Sequence, residues 1–125
     1  MTSPTTKLTA SAEAVLAELR DDHADLWKLL WIVKAEAELD EAMPKTVRQE
    51  SLAVIAALLE GGYVHPGAPR GRESFSPWPL DATDALARIE REWDALGRDP
   101  DIGEIAWFDL TDKGQEYIQD GESVG

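Results

Sequence analysis

The chain has 125 residues, 43% of them hydrophobic, with five tryptophans and no cysteine. That is the size of one domain with enough apolar surface to bury a core, and it excludes a disulfide framework, a thiolate metal site and a cysteine nucleophile. Twelve basic side chains face 25 acidic ones, a formal net charge of −13, so the molecule as a whole repels a phosphate backbone or an anionic membrane at long range.

Met1 to Leu8 lacks the apolar run of a secretory signal. The longest apolar-rich stretch, Leu26 to Ala37, is too short and too charged to span a bilayer, and a cytoplasmic location is expected. Residues 1–9 are polar and contain Pro4, which predicts a disordered leader. Ser11 is placed to cap a helix reaching Leu19, with Ala12, Val15, Leu16 and Leu19 as its apolar stripe. Leu26, Leu29, Leu30 and Val33 then recur at helical spacing, and a central helix is expected to run to Leu39. Asp21, Asp22 and Asp25 lie at its start, where carboxylates interact favourably with open backbone N–H groups.

Pro44 suits the first turn of a third helix. Its face is Val47, Ser51, Val54, Ile55, Leu58 and Leu59, and Gly61-Gly62 ends it. Tyr63-Val64-His65 predicts a short strand broken by Pro66-Gly67-Ala68-Pro69, with an exposed loop from Arg70 to Glu73. Phe75 to Leu80 reads as extended but interrupted by Pro77 and Pro79. Asp81 caps the clearest helix, 81–97, in which Leu86, Ile89, Trp93 and Leu96 form a narrow stripe before Gly97 and Pro100 stop it. Glu104 to Leu110 is the best strand, Thr111 caps a last helix with Tyr117 and Ile118, and residues 121–125 are expected to fray. The fold class predicted is α+β, mostly helical, with a small antiparallel sheet, in a single domain over residues 10–120.

Two pieces of the chain carry a resemblance. Val54-Ile55-Ala56-Ala57-Leu58-Leu59-Glu60-Gly61-Gly62-Tyr63-Val64 runs from helix through glycine into a strand. Ile105-Ala106-Trp107-Phe108-Asp109-Leu110-Thr111-Asp112-Lys113-Gly114 runs from a strand through an "LTxxG" turn into helix. In this order they resemble the winged-helix fold of MarR-like and PadR-like regulators: the end of the recognition helix entering one wing strand, then the second wing strand. The resemblance implies a winged-helix-like core with an additional helix inserted between the wing strands, because about forty residues intervene where a tight wing is usual. The layout is also similar to small actinobacterial proteins, and that similarity implies no established activity.

Catalysis of the hydrolase or transferase type needs a nucleophile, a base and a group that orients the base. His23 and His65 are the two histidines, in different elements, and each reads as a surface or loop residue. An enzyme would need a pocket joining one of them to carboxylates, so no catalytic residue is expected. Glu36 with Asp40, and Asp21 with Asp25, are four apart and could share helix faces. Neither pair joins a metal-ligand pattern, so no metal and no cofactor are expected.

Lys45, Arg48, Arg70 and Arg72, with Thr46, Gln49 and Ser51, form the candidate nucleic-acid surface. The resemblance would place Lys45 and Arg48 at the start of the recognition helix and Arg70 and Arg72 in the expanded wing. Trp27 and Trp93 are assigned to the core, while Trp31 and Trp107 stay open between core and surface. Phe75, Trp78, Asp81 and Asp84 form the candidate protein interface, since tryptophan anchors interfaces well; alternatively Trp78 tucks the insertion onto the core. Residues 73–125 hold 14 acidic and 4 basic side chains, which would steer association with a basic partner. The leading expectation is therefore a non-enzymatic protein-interaction module, such as an inhibitor or immunity-like protein. The alternative is a transcriptional regulator that binds DNA as a homodimer, with residues 11–39 or 81–97 as the dimer contact.

Overall fold

Thr9 starts the first helix: its side chain accepts a hydrogen bond from the Ala12 N–H at 3.2 Å, two residues before the predicted Ser11 cap. The computed structural model describes residues 8–39, 44–70 and 74–123. Among them it is α+β, with α1 (Ala10–Asp21), β1 (Ala24–Asp25), α2 (Leu26–Glu36), α3 (Pro44–Glu60), β2 (Val64–Arg70), β3 (Ser74–Pro77), α4 (Ala82–Leu96), β4 (Trp107–Leu110) and α5 (Asp112–Ser123). α5 runs past the predicted fraying point at Gly121, and most of the predicted leader, residues 1–7, lies outside the described residues.

The strands form one antiparallel sheet in the order β1-β4-β2-β3. β1 is two residues long and was not foreseen; Leu26 donates its N–H to the Ala106 carbonyl as the chain leaves it. α2 stops at Glu36, short of the expected Leu39, because the chain turns through Glu38 at φ 55. Leu39 then donates back to the Lys34 carbonyl and Glu38 to that of Ala35, a helix stop that favours glycine at the position Glu38 holds. α3 ends in the same way with a glycine in place: Gly62 has φ 74 and Tyr63 donates to the Leu58 carbonyl.

β2 runs through Pro66 and Pro69, where the sequence predicted a break. Register explains why the prolines are tolerated. The Pro66 carbonyl accepts from the Trp78 N–H at the end of β3, so only one donor is lost on that side. Pro69 lies three residues on, facing the opposite edge, where pairing with β4 has already ended at Gly67↔Trp107. Between them a Cβ at Gly67 would overlap the Ser76 carbonyl, so the crossing requires glycine. β4 is shorter than predicted, because Gly103 and Ile105 both take positive φ and turn the chain before Trp107.

One core joins Val15, Leu16 and Leu19 of α1, Leu26, Leu29 and Val33 of α2, Ile55 and Leu58 of α3, Ile89 and Trp93 of α4, and Phe108 of β4. The "LTxxG" turn locks α5 to that core. Thr111 accepts from the Gly114 N–H at 3.0 Å and donates its hydroxyl to the Gly62 carbonyl at 2.6 Å. A side chain at Gly114 would overlap the Tyr63 carbonyl, so the first turn of α5 rests on the end of α3 only with glycine there.

Candidate interaction surfaces

The four residues expected to form a protein interface are engaged in different ways. Phe75 lies within β3, whereas Trp78 follows the strand's last residue, Pro77. Phe75 lies near His23, with ring centroids 6.0 Å apart, whereas Trp78 is half-buried against the core with the Arg88 guanidinium 3.8 Å above its ring. Arg88 is held in turn by Glu92, Nε to Oε2 at 2.7 Å. Asp81 is used as the N-cap of α4, accepting from the Asp84 N–H at 2.8 Å, and Asp84 stands exposed in the first turn. The alternative, in which Trp78 ties the insertion to the core, describes its place.

The basic set is also divided. Lys45, Thr46 and Gln49 are exposed on the first turns of α3. Arg48 bonds to Asp94 of α4 and lies over the Trp93 ring at 5.3 Å, so it clamps two helices together. Ser51, expected to reach DNA, is fully buried on the core face, and its hydroxyl has no hydrogen-bond partner among the described residues. Arg70 is exposed at the far end of β2, in a strand instead of the predicted loop; Arg72 lies outside the described residues. Lys45 and Arg48 do border a hollow of about 350 Å³ with Arg98, but Asp94 and Asp99 line it too.

The acidic residues gather more tightly. Asp21, Asp22, Asp109 and Asp112 line a hollow of about 330 Å³ together with Arg20, His23 and Phe75. His23 sits edge-on to Trp107 at 5.5 Å, its Nδ1 3.1 Å from Asp22 Oδ1. This joins a histidine to carboxylates, but the two hydroxyls at its rim are engaged elsewhere: Ser74 donates to the Arg70 carbonyl and Thr111 to that of Gly62. Asp21 and Asp25 do not share a helix face, because α1 ends at Asp21 while Asp25 caps α2. Asp25 is buried, accepting from the Lys28 N–H at 3.0 Å and the Gly103 N–H at 2.6 Å. Of the other pair, Asp40 lies outside the described residues; among those described, no group of three or more potential ligands could hold a metal ion.

A third surface was not singled out from sequence. Trp31 is 50% exposed on α2, edge-on to Trp27 at 6.0 Å, with the Lys34 ammonium 5.3 Å from its ring. Trp27, Leu30, Trp31 and Lys34 on one side and Asp99, Pro100 and Asp101 on the other enclose about 200 Å³. The loop bearing these aspartates is fastened from behind. Arg98 makes a two-pronged contact to Glu104 at 2.8 and 3.0 Å, and the Asp101 N–H donates to Glu104 at 2.7 Å. The Arg98 and Asp101 bonds hold the Glu104 carboxyl below its ordinary pKa, and the bond to Glu104 raises that of Arg98. The i, i+4 spacing of Trp27 and Trp31 was the available signal; their partner across the hollow, some seventy residues away, left none.

No helix among the described residues is long and apolar enough to cross a membrane. No family model, curated protein or solved structure matches this chain.

Proposed function

We propose that this chain is a non-enzymatic, cytoplasmic protein-interaction module that binds a basic partner, as an inhibitor or immunity-like protein does. The observation that carries this reading is the convergence of Asp21, Asp22, Asp109 and Asp112 on one hollow in a chain of net charge −13. Several cations are already spent within the molecule, in Lys28–Glu18, Arg48–Asp94, Arg88–Glu92 and Arg98–Glu104. The field offered to a partner is therefore negative and steers positive surfaces toward it. The engagement of the Ser74 and Thr111 hydroxyls with backbone carbonyls supports the non-enzymatic part, since neither is paired with His23.

The test is a low-salt pull-down with the tagged chain from its native lysate, followed for protein and for DNA. The expected result is a stoichiometric basic protein, released by salt as charge screening predicts and weakened by Asp21→Lys with Asp112→Asn. A protein retained equally well at high salt and by that variant would overturn the reading.

A second reading is a winged-helix regulator. It is favoured by the element order, in which α1, β1, α2 and α3 precede the paired β2 and β4, and by Lys45, Thr46 and Gln49 exposed at the start of α3. It requires DNA fragments in the same pull-down, lost on adding salt and on Lys45→Ala.

A further inference from the structure

The hollow between α2 and the 99–101 loop has the parts of a site for one cationic side chain. Its apolar wall is an indole pair, Trp27 and Trp31, in a T-shaped contact. Indole faces attract cations through the ring quadrupole, more strongly than phenyl faces do. Its opposite wall is lined by two acidic residues, Asp99 and Asp101, the second with its exposed carboxylate 3.6 Å from an Arg98 nitrogen. The half-open hollow of about 200 Å³ has room for a single extended side chain. The molecule already supplies a ligand of this chemistry, since the Lys34 ammonium lies 5.3 Å from the Trp31 ring.

Trp31 stays half-exposed even so, and Ile102, beside Asp101 in the chain, is 69% exposed. The loop is not free to collapse onto the indoles. Arg98 and Glu104 brace it from within, and Asp25 holds Gly103 at its far end.

We propose that this hollow anchors a lysine or arginine side chain of the basic partner protein, its charged head between Asp99 and Asp101 and its stem along Trp27 and Trp31. This rests on the reading of the chain as a module for a basic partner and gives that partner's anchor a place apart from the acidic hollow at His23. Lys34 competes for the same ring, so its charge weakens the site it borders.

The experiment titrates the full chain with acetylated, amidated pentapeptides carrying one central arginine, lysine or norleucine. The probes are the indole N–H signals, assigned by single Trp→Phe replacements, and the backbone amides. Shifts at Trp27 and Trp31 with the arginine and lysine peptides, and at least tenfold weaker ones with norleucine, are expected from a cation-selective site. Asp99→Asn with Asp101→Asn lowers the affinity about tenfold, and Lys34→Met raises it about threefold. Equal shifts with norleucine overturn the proposal, because the hollow would then be a plain apolar slot. Tighter binding that fails to follow Lys34→Met overturns it as well. Shifts confined to residues 19–23 and 109–115, or no shift anywhere at about ten millimolar peptide, sink the anchor, while the basic-partner reading stands or falls by the pull-down.

Discussion

Trp78 and Trp31 each carry a cation over the indole, yet one is closed and the other open. Above Trp78 the Arg88 guanidinium lies at 3.8 Å, tied down by Glu92, and the ring beneath packs on the core. Above Trp31 the Lys34 ammonium lies at 5.3 Å, and half the side chain still meets water. Arginine stacks flat and is pre-organised by its planar fork, whereas lysine is a hydrated point charge on a flexible stem. Availability is therefore set by what crosses above each ring in space. Local sequence favours the opposite order, since Trp78 sits between two prolines and Trp31 within an apolar helix.

The sharpest way to break this comparison is truncation. Trp78→Ala removes a ring that joins the insertion to the core and should cost about 2–4 kcal/mol, near the range for large aromatic truncations. Trp31→Ala, at a half-exposed position, should cost about 1 kcal/mol or less. Urea unfolding followed by far-UV circular dichroism measures both without relying on the indoles. Equal costs would show that Trp31 is as structural as Trp78.

The helices beneath the two sites also end differently. α4, which supplies Arg88, stops at Gly97 with φ 71, and nothing lies within 4 Å of where a Cβ would stand. α2, which supplies Trp31, stops through Glu38 at φ 55. A non-glycine residue in the left-handed region costs about 1–2 kcal/mol, so Glu38→Gly should stabilise the fold by about 1 kcal/mol. Gly97→Ala should lose a similar amount for the mirror reason. Thermal melts of the two variants should shift in opposite directions; a fall in Tm for Glu38→Gly would mean that the Glu38 side chain does more than occupy its turn.

Much of the helical framework was legible because it depends on neighbours close in sequence. Pro44 opens α3, Asp81 caps α4, and Gly62 and Gly97 close their helices at positive φ. What was hidden depends on distant partners. Whether Pro66 and Pro69 break a strand depends on which edge their missing donors face, and that is fixed by register with β3 and β4. Arg48 looked like a phosphate contact because its partner, Asp94, stands 46 residues away. Asp25 was recognisable as a helix-start carboxylate, but its second bond, to Gly103, spans 78 residues. For the same reason the hollow beside α2 stayed hidden: no local pattern foretells that the 99–101 loop stands opposite Trp31.

A smaller effect separates the two cations directly. Arg88→Met should cost about 0.5–1 kcal/mol by removing both the stacking and the pair with Glu92. Lys34→Met should stay within about 0.5 kcal/mol, as changes at loosely engaged surface residues do. Chemical denaturation of the pair measures the difference, and a larger loss at Lys34 would reverse the ranking.

The smallest expected effect lies in acid. The Arg98 contact holds the Glu104 pKa below its value in the unfolded chain, which is about 4.3. The unfolded chain then takes up the proton first as pH falls, so Glu104 contributes stability above its unfolded pKa and loses it as pH drops through the folded one. The contact is exposed and partly screened, so the loss is modest. It is also local, because the bonds of Glu104 to Arg98 and to the Asp101 N–H brace the loop that faces Trp31. As pH falls through the unfolded value of about 4.3 and on through the lower folded one, the Trp31 indole signal should move while that of Trp78 stays in place. Glu104→Gln should leave the Trp31 signal nearly insensitive over the same range. If both indoles move together in the wild-type chain, the acid response belongs to the whole fold, and the loop facing Trp31 is not a separately braced wall.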